Sequence, residues 1–326
     1  MTNHTYSQLF IDDGLAASDA KKRYKSRRSC LRSQLDGITV IRSAMVGPGN
    51  GYSWALSAAA IFQDPFFLFL TGINQLNTIL LLNPFDKHCP EILFVPEKDL
   101  ELEFWEGPQL GTGTSKHDKE IHQLTGIKTV KSISSFEATL SELIDSLPNS
   151  QSKSIGCYWF ESPKNKKKQI KDSHLEFKKS LSKLSKQIKS KPTVSNIFPL
   201  QFPLRLALDP TDLKNMKLAQ KKTNAAFTST LKQWTSLKSE TDIAAVLDGA
   251  IARQSWYRNS FPSIIAGGKN AAILHYTKNN APITPSNLVL MDFGIRWHGV
   301  NSDVSRTVPK NGRFNPLQAL LYTIVL

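Results

Sequence analysis

The chain has 326 residues, 40% hydrophobic and 21% charged, a composition that fits two soluble globular domains, each with its own core. The richest apolar stretch, Trp54 to Leu82, is broken by Gln63, Asp64 and Pro65 and again by Asn74 and Gln75, so no run reaches the roughly 18 residues of a membrane span. The first residues lack the basic start of a signal peptide. Three cysteines without CxxC spacing (Cys30, Cys89, Cys157) suit a reducing, cytoplasmic setting better than a disulfide framework.

The basic cluster Lys21–Arg28 leads into an amphipathic stretch through Leu31 and Leu35, which predicts a helix. Ile38–Ser43 predicts a strand, followed by a Gly-rich turn over Gly47–Gly51. Phe66–Leu70, Thr78–Leu82 and Glu91–Pro96 read as further strands. A polar loop then holds Trp105-Glu106-Gly107, with Trp105 expected to pack and have its N–H satisfied. His88 and Cys89 have no partners at ligand spacing, so zinc is not expected there. Phe136, Leu140, Leu143 and Ile144 give Ser135–Leu147 helical spacing, and Cys157–Phe160 is a short strand. This alternation predicts an α/β first domain, residues 1–195.

The net charge of +14 is concentrated between Lys164 and Lys191, which hold eleven lysines against two acids. Ile170, Phe177, Leu181, Leu184 and Ile188 recur there at spacings that make one apolar stripe, so a surface helix with a solvated basic face is expected. Contact with RNA or an anionic membrane is the sharper reading. The scarcity of Arg and of exposed aromatics for base stacking counts against nucleic acid as a partner. Prolines from Pro192 to Pro199 and Pro203 to Pro210 predict a linker. Asp212–Trp234 and Ser239–Ala252 then read as helices, the second opened by Ser239 with Asp242 three residues on.

The second domain, residues 196–326, ends in a strand-rich segment with two aspartates eleven residues apart. Asp292 follows the apolar run Leu288–Met291, Gly294 marks a turn, and an extended run through His298, Gly299 and Val300 reaches Asp303. A hairpin of this shape brings both carboxylates to one end of a sheet, where two hard oxygen donors begin a divalent-metal site. As isolated residues, Asp292 and Asp303 also suit turns and strand ends.

The segment FPSIIAGGKNAAILHYTKNN (Phe261–Asn280), the blocks LVLMDFG and NSDVSRTVPKNGRF, and the upstream FQDPFFLFLTGINQLNTILLL and LFVPEKDLELEFWEGPQLG stand in an order that resembles the aminopeptidase P (Xaa-Pro aminopeptidase) branch of the pita-bread metallopeptidases. The resemblance runs from about Arg27 to the last residue. It implies an α/β N-terminal domain followed by the first part of an α+β pita-bread, creatinase/aminopeptidase-like catalytic domain. It also implies release of an N-terminal residue that precedes proline, with two divalent ions, Mn²⁺ by preference, activating water and polarising the scissile carbonyl.

Carried over by position, Asp292 chelates one ion, Asp303 bridges two, and His275 contacts the peptide substrate and steadies the tetrahedral intermediate. A homo-oligomer is the further implication. The chain departs from the pattern at Phe293, where a small residue is usual, and at Gln109, where Arg is usual. The family's remaining ligands, a His and two Glu, belong to a C-terminal stretch that these 326 residues lack. His298 lies between the aspartates and does not replace that His. The chain is thus expected to be an N-terminal portion, inactive alone. The alternative is a non-catalytic pita-bread binding protein with a basic RNA-facing helix. Prolidase shares the metal blocks, and creatine amidinohydrolase does not need the aspartate pair.

Overall fold

A computed structural model describes residues 15–44, 63–112, 115–159, 173–255 and 259–326. The chain divides into two compact units, Met1–Ala207 and Leu208–Leu326. The expected turn at Gly47–Gly51, the lysines from 164 to 171, and Ile170 lie outside the described residues.

In the first unit, α1 (Ala17–Arg32) runs into β1 (Ile38–Arg42), and α2 (Pro65–Thr71) precedes β2 (Ile79–Leu82) and β3 (Glu91–Val95). Next come α3 (Leu100–Glu106), α4 (Ser115–Thr125), β4 (Thr129–Ser132), α5 (Phe136–Ser146), β5 (Ser154–Cys157), α6 (Ser173–Gln187), β6 (Thr193–Asn196) and α7 (Gln201–Leu206). The six strands form one mixed sheet in the order β4-β3-β2-β1-β5-β6. Ile41, Leu80, Leu82 and Leu93 pack with Leu31, Phe66, Phe67 and Ile121 on one side. Val40, Leu81, Ile92 and Phe94 pack with Phe136, Leu140, Leu181 and Leu184 on the other. Burial of both faces explains why the central strands are unbroken apolar runs. The expected stripe of α6 is docked through Leu181 and Leu184, while Lys179, Lys183 and Lys186 are exposed.

Five local expectations are corrected. The strand expected over Cys157–Phe160 lies earlier, at Ser154–Cys157, with Tyr158 and Trp159 beyond its end. Phe66–Leu70 is helical, because Asp64 Oδ1 accepts from the amides of Phe66 (3.0 Å) and Phe67 (2.7 Å), Pro65 opens the helix, and Gly72 closes it at φ +70°. The loop expected around Trp105 is the end of α3, which Asp99 caps. Trp105 does not pack inside but is 76% exposed, edge-on to Phe104 at 5.3 Å. The Pro-rich stretch is a linker only in its second part, where the units divide after Ala207. Thr193–Asn196 is an edge strand paired in parallel with Ser154–Cys157, and α7 follows within the first unit.

Cys157 is buried, and burial pushes its thiol up to about 12 against the opposing charge of Lys178. Cys30 is exposed. A thiol reagent at neutral pH should therefore modify Cys30 and spare Cys157 until the unit unfolds. Equal rates in the native protein would contradict the placement of β5.

The second unit opens with α8 (Pro210–Leu231) and α9 (Glu240–Gln254), then β7 (Ile264–Gly267), β8 (Leu288–Phe293), the hairpin β9 (Arg296–Trp297) and β10 (Val300–Asn301), β11 (Val304–Pro309) and α10 (Pro316–Val325). Ser239 and Asp242 form the expected reciprocal cap of α9. The antiparallel sheet has the order β11-β8-β7. Val289, Met291 and Phe293 on one face of β8 pack with Ile243, Leu247 and Ile251 of α9 and with Trp234. Phe293 is wholly buried and stacks on Phe227 at 5.6 Å, which accommodates the large residue after Asp292. Among the described residues no helix is long and apolar enough to cross a membrane.

Candidate metal centre

Alternation along β8 sends Val289, Met291 and Phe293 into the helix-packed core and turns Leu288, Leu290 and Asp292 to the opposite face. Asp292 is thus fixed as the last outward residue of a strand whose neighbours are both paired. It lies opposite Ser305 of β11 and Ile264 of β7. Ser305 Oγ donates to Asp292 Oδ1 at 3.1 Å. Asp303 immediately precedes β11, next to Val304, which pairs with Phe293.

The approach of the two aspartates depends on Gly294 and Ser302. A Cβ at Gly294 would lie 1.9 Å from the Ser302 carbonyl oxygen, so only glycine lets the chain leave β8 so close to the segment entering β11. Ser302 N donates to Ile295 O at 3.0 Å, and its hydroxyl accepts from Ile295 N at 2.8 Å. Thr223 of α8 adds a hydroxyl contact at 2.6 Å. Beyond this clasp, His298 (φ +45°) and Gly299 (φ +82°) form the two-residue tip between β9 and β10.

Asp303 and His275 both act on the charge of Asp292. Burial pushes the Asp292 carboxyl above its ordinary range, the Ser305 hydroxyl opposes that, the charge and hydrogen bonding of Asp303 push it up again, and His275 draws it down. A carboxyl whose charge is disfavoured by a neighbouring aspartate, with Asp303 and His275 exposed, suits a bound cation. The all-oxygen donor set of the two aspartates matches a hard or borderline divalent ion. Among the described residues no group of three His, Cys, Asp or Glu assembles a fuller site. Ser305 and Ser302 were not anticipated as parts of it. Period-two counting from Asp303 would have put Ser305 on its face, but nothing local marks Ser302.

The second unit, an antiparallel sheet backed by two helices, matches metallopeptidase family M24 over residues 214–326. Residues 24–151 match the aminopeptidase P N-terminal domain, and the chain belongs to the aminopeptidase P group of that family. It is similar to Xaa-Pro aminopeptidase 3 of Mus musculus, with 31% identity over 268 residues covering 81% of this chain and 49% of that protein. The Xaa-Pro aminopeptidase of Haemophilus influenzae is 27% identical over 264 residues, covering 81% and 55%. The structure of aminopeptidase PepP from Pseudomonas aeruginosa matches 94% of this chain and 65% of its own, with TM-score 0.75 and 25% identity. The chain spans about half the length of the curated relatives it matches.

Proposed function

We propose that this chain supplies part of a metalloaminopeptidase of the Xaa-Pro type, which releases an N-terminal residue preceding proline. The observation that supports the reading is that Asp292 ends β8 while Asp303 enters the paired strand β11, with Asp303 and His275 both acting on the Asp292 charge. Asp292 would chelate one ion and Asp303 would bridge two, with Mn²⁺ favoured by carboxylate donors. When bound, the paired ions would supply an activated water and polarise the scissile carbonyl. Ser305 orients the Asp292 carboxylate, and the Ser302 clasp holds the backbone entering Asp303. The exposed His275 imidazole is available to donate a hydrogen bond to the carbonyl oxygen as negative charge develops on it.

Holding two ions takes about five or six protein donors. The described residues bring two carboxylates, so this chain alone is expected to take at most one divalent ion weakly and to cleave no peptide appreciably. A homo-oligomer and a cytoplasmic setting complete the proposal, the latter on three unpaired cysteines. Sequencing the gene past codon 326 and translating all three frames tests it. A frame carrying one further His and two Glu blocks, whose joining to residues 1–326 restores metal-dependent Xaa-Pro cleavage, is the expected outcome. Absence of such blocks in every frame would overturn the enzyme reading.

A further inference from the structure

His275 sits in a stretch with little structure of its own. From Ile273 to Asn280 the chain forms mainly turns and irregular backbone, and Leu274 just before the histidine is 89% exposed. Tyr276 just after it is 7% exposed and packs with Ile264 and Ala266 of β7. The histidine is therefore held through Tyr276, through the ends of its segment, and through Asn279, whose side chain accepts from Ile265 N and donates to Ser263 O, both at 2.8 Å.

The Tyr276 hold and the ends of the segment lead to Glu240, the first residue of α9. This glutamate is wholly buried, which is rare unless the charge is met by donors. Its Oε2 accepts from Tyr276 Oη at 2.7 Å and from Ala281 N at 2.9 Å. Its Oε1 accepts from Gly267 N at 2.8 Å and from Asn270 Nδ2 at 2.9 Å. Asn270 Nδ2 also lies 3.0 Å from Tyr276 Oη. The Glu240 amide donates to Ala281 O at 2.9 Å. Capping of α9 is already supplied by Ser239 and Asp242. The Glu240 carboxylate instead gathers donors from both ends and the middle of the histidine segment. Burial opposes its charge, but the donors from Asn270, Gly267, Ala281 and Tyr276 hold its pKa below the usual glutamate range, so it is a permanent acceptor at neutral pH.

We propose that Glu240 is a positioning residue for His275, its carboxylate fixing the segment Gly268–Ala281 through Tyr276 and Asn270 so that the imidazole stays beside Asp292. The inference rests on the role given to His275 above. Its test uses the 326-residue chain with Tyr276→Phe and Glu240→Gln, the first of which keeps the ring in its apolar seat and removes a single donor. Backbone amides of residues 273–280 should exchange with solvent about tenfold faster in Tyr276→Phe, with no change in β8, and faster still in Glu240→Gln. At equal Mn²⁺ occupancy, paramagnetic broadening of the His275 ring protons should be weaker in both variants.

Unchanged exchange at 273–280 would overturn the proposal. Faster exchange spread evenly over the sheet in Tyr276→Phe would do so too, because that marks a general loss of stability. Faster local exchange with undiminished broadening also sinks it, since His275 would then be held without the anchor. Should Glu240→Gln fail to fold, Tyr276→Phe decides. If Mn²⁺ broadens no His275 signal in the parent chain, the metal reading fails, while the exchange measurement still decides the anchor.

Discussion

Replacing Arg28 by methionine should destabilise the first unit by about 3–5 kcal/mol, the cost typical of removing one partner from a buried ion pair. Arg28 on α1 is wholly enclosed. Its Nε donates to Glu91 Oε2 at 2.9 Å, Nη1 to Leu70 O at 3.0 Å, and Nη2 to Thr125 O at 2.7 Å. One side chain thus joins α1 to the end of α2, the end of α4 and the first residue of β3. Methionine fills much of the volume but leaves two buried carbonyls without this donor and Glu91 with Arg32 alone, at 3.2 Å. Urea unfolding followed by circular dichroism measures the loss. A loss below about 1 kcal/mol would mean that water reaches Glu91, contrary to the packing described. Adding Glu91→Leu should recover part of the loss, because no buried carboxylate then remains to be matched.

Asp292→Asn should abolish divalent-metal binding without unfolding the second unit. Loss of a primary carboxylate is expected to weaken binding by more than about 100-fold, beyond the roughly 10–100-fold typical of outer partners. Mn²⁺ titration followed by calorimetry or electron paramagnetic resonance reads this directly, and retained affinity would remove Asp292 from the site. The metal-free protein should show the opposite sign in stability. Burial and the neighbouring Asp303 hold the folded Asp292 carboxyl above its ordinary value of 3.8, so the folded state takes up a proton before the unfolded state does. Stability should therefore rise as pH falls through the folded pKa towards 3.8, and Asp292→Asn should remove that rise. A parent chain that loses stability faster than the variant over this interval would contradict the arrangement.

The second unit was the more legible in sequence. Leu288–Met291 ends at an aspartate, a glycine follows, and another extended run leads to a second aspartate, so pattern and turn chemistry agreed on a paired structure. The helix opened by Ser239 carried its own cap. In the first unit the departures have separate causes. Phe66–Leu70 is apolar at every position, and a segment buried all round has no period to separate helix from strand. Asp64 followed by Pro65 held the deciding information, as an N-cap and first-turn pair. Thr193–Asn196 was hidden by the prolines around it, which an edge strand tolerates more readily than a central one. Residue type alone favours packing for Trp105, whereas its short helix leaves it exposed. The anchoring role of Glu240 was invisible for another reason. Acidic residues are ordinary in a helix's first turn, and the four groups that meet this one come from residues 27 to 41 positions away.

The small hairpin between the aspartates separates their distance in sequence from their distance in space. Ser302 and Ile295 close its base, and β8 pairs with β11 below that closure, so the carboxylates keep their places whatever the tip contains. His298 and Gly299 are spacer rather than gauge. Exposed Gly299 is the tip position where an added label should disturb least, since it lies on the far side of the clasp from Asp292 and Asp303.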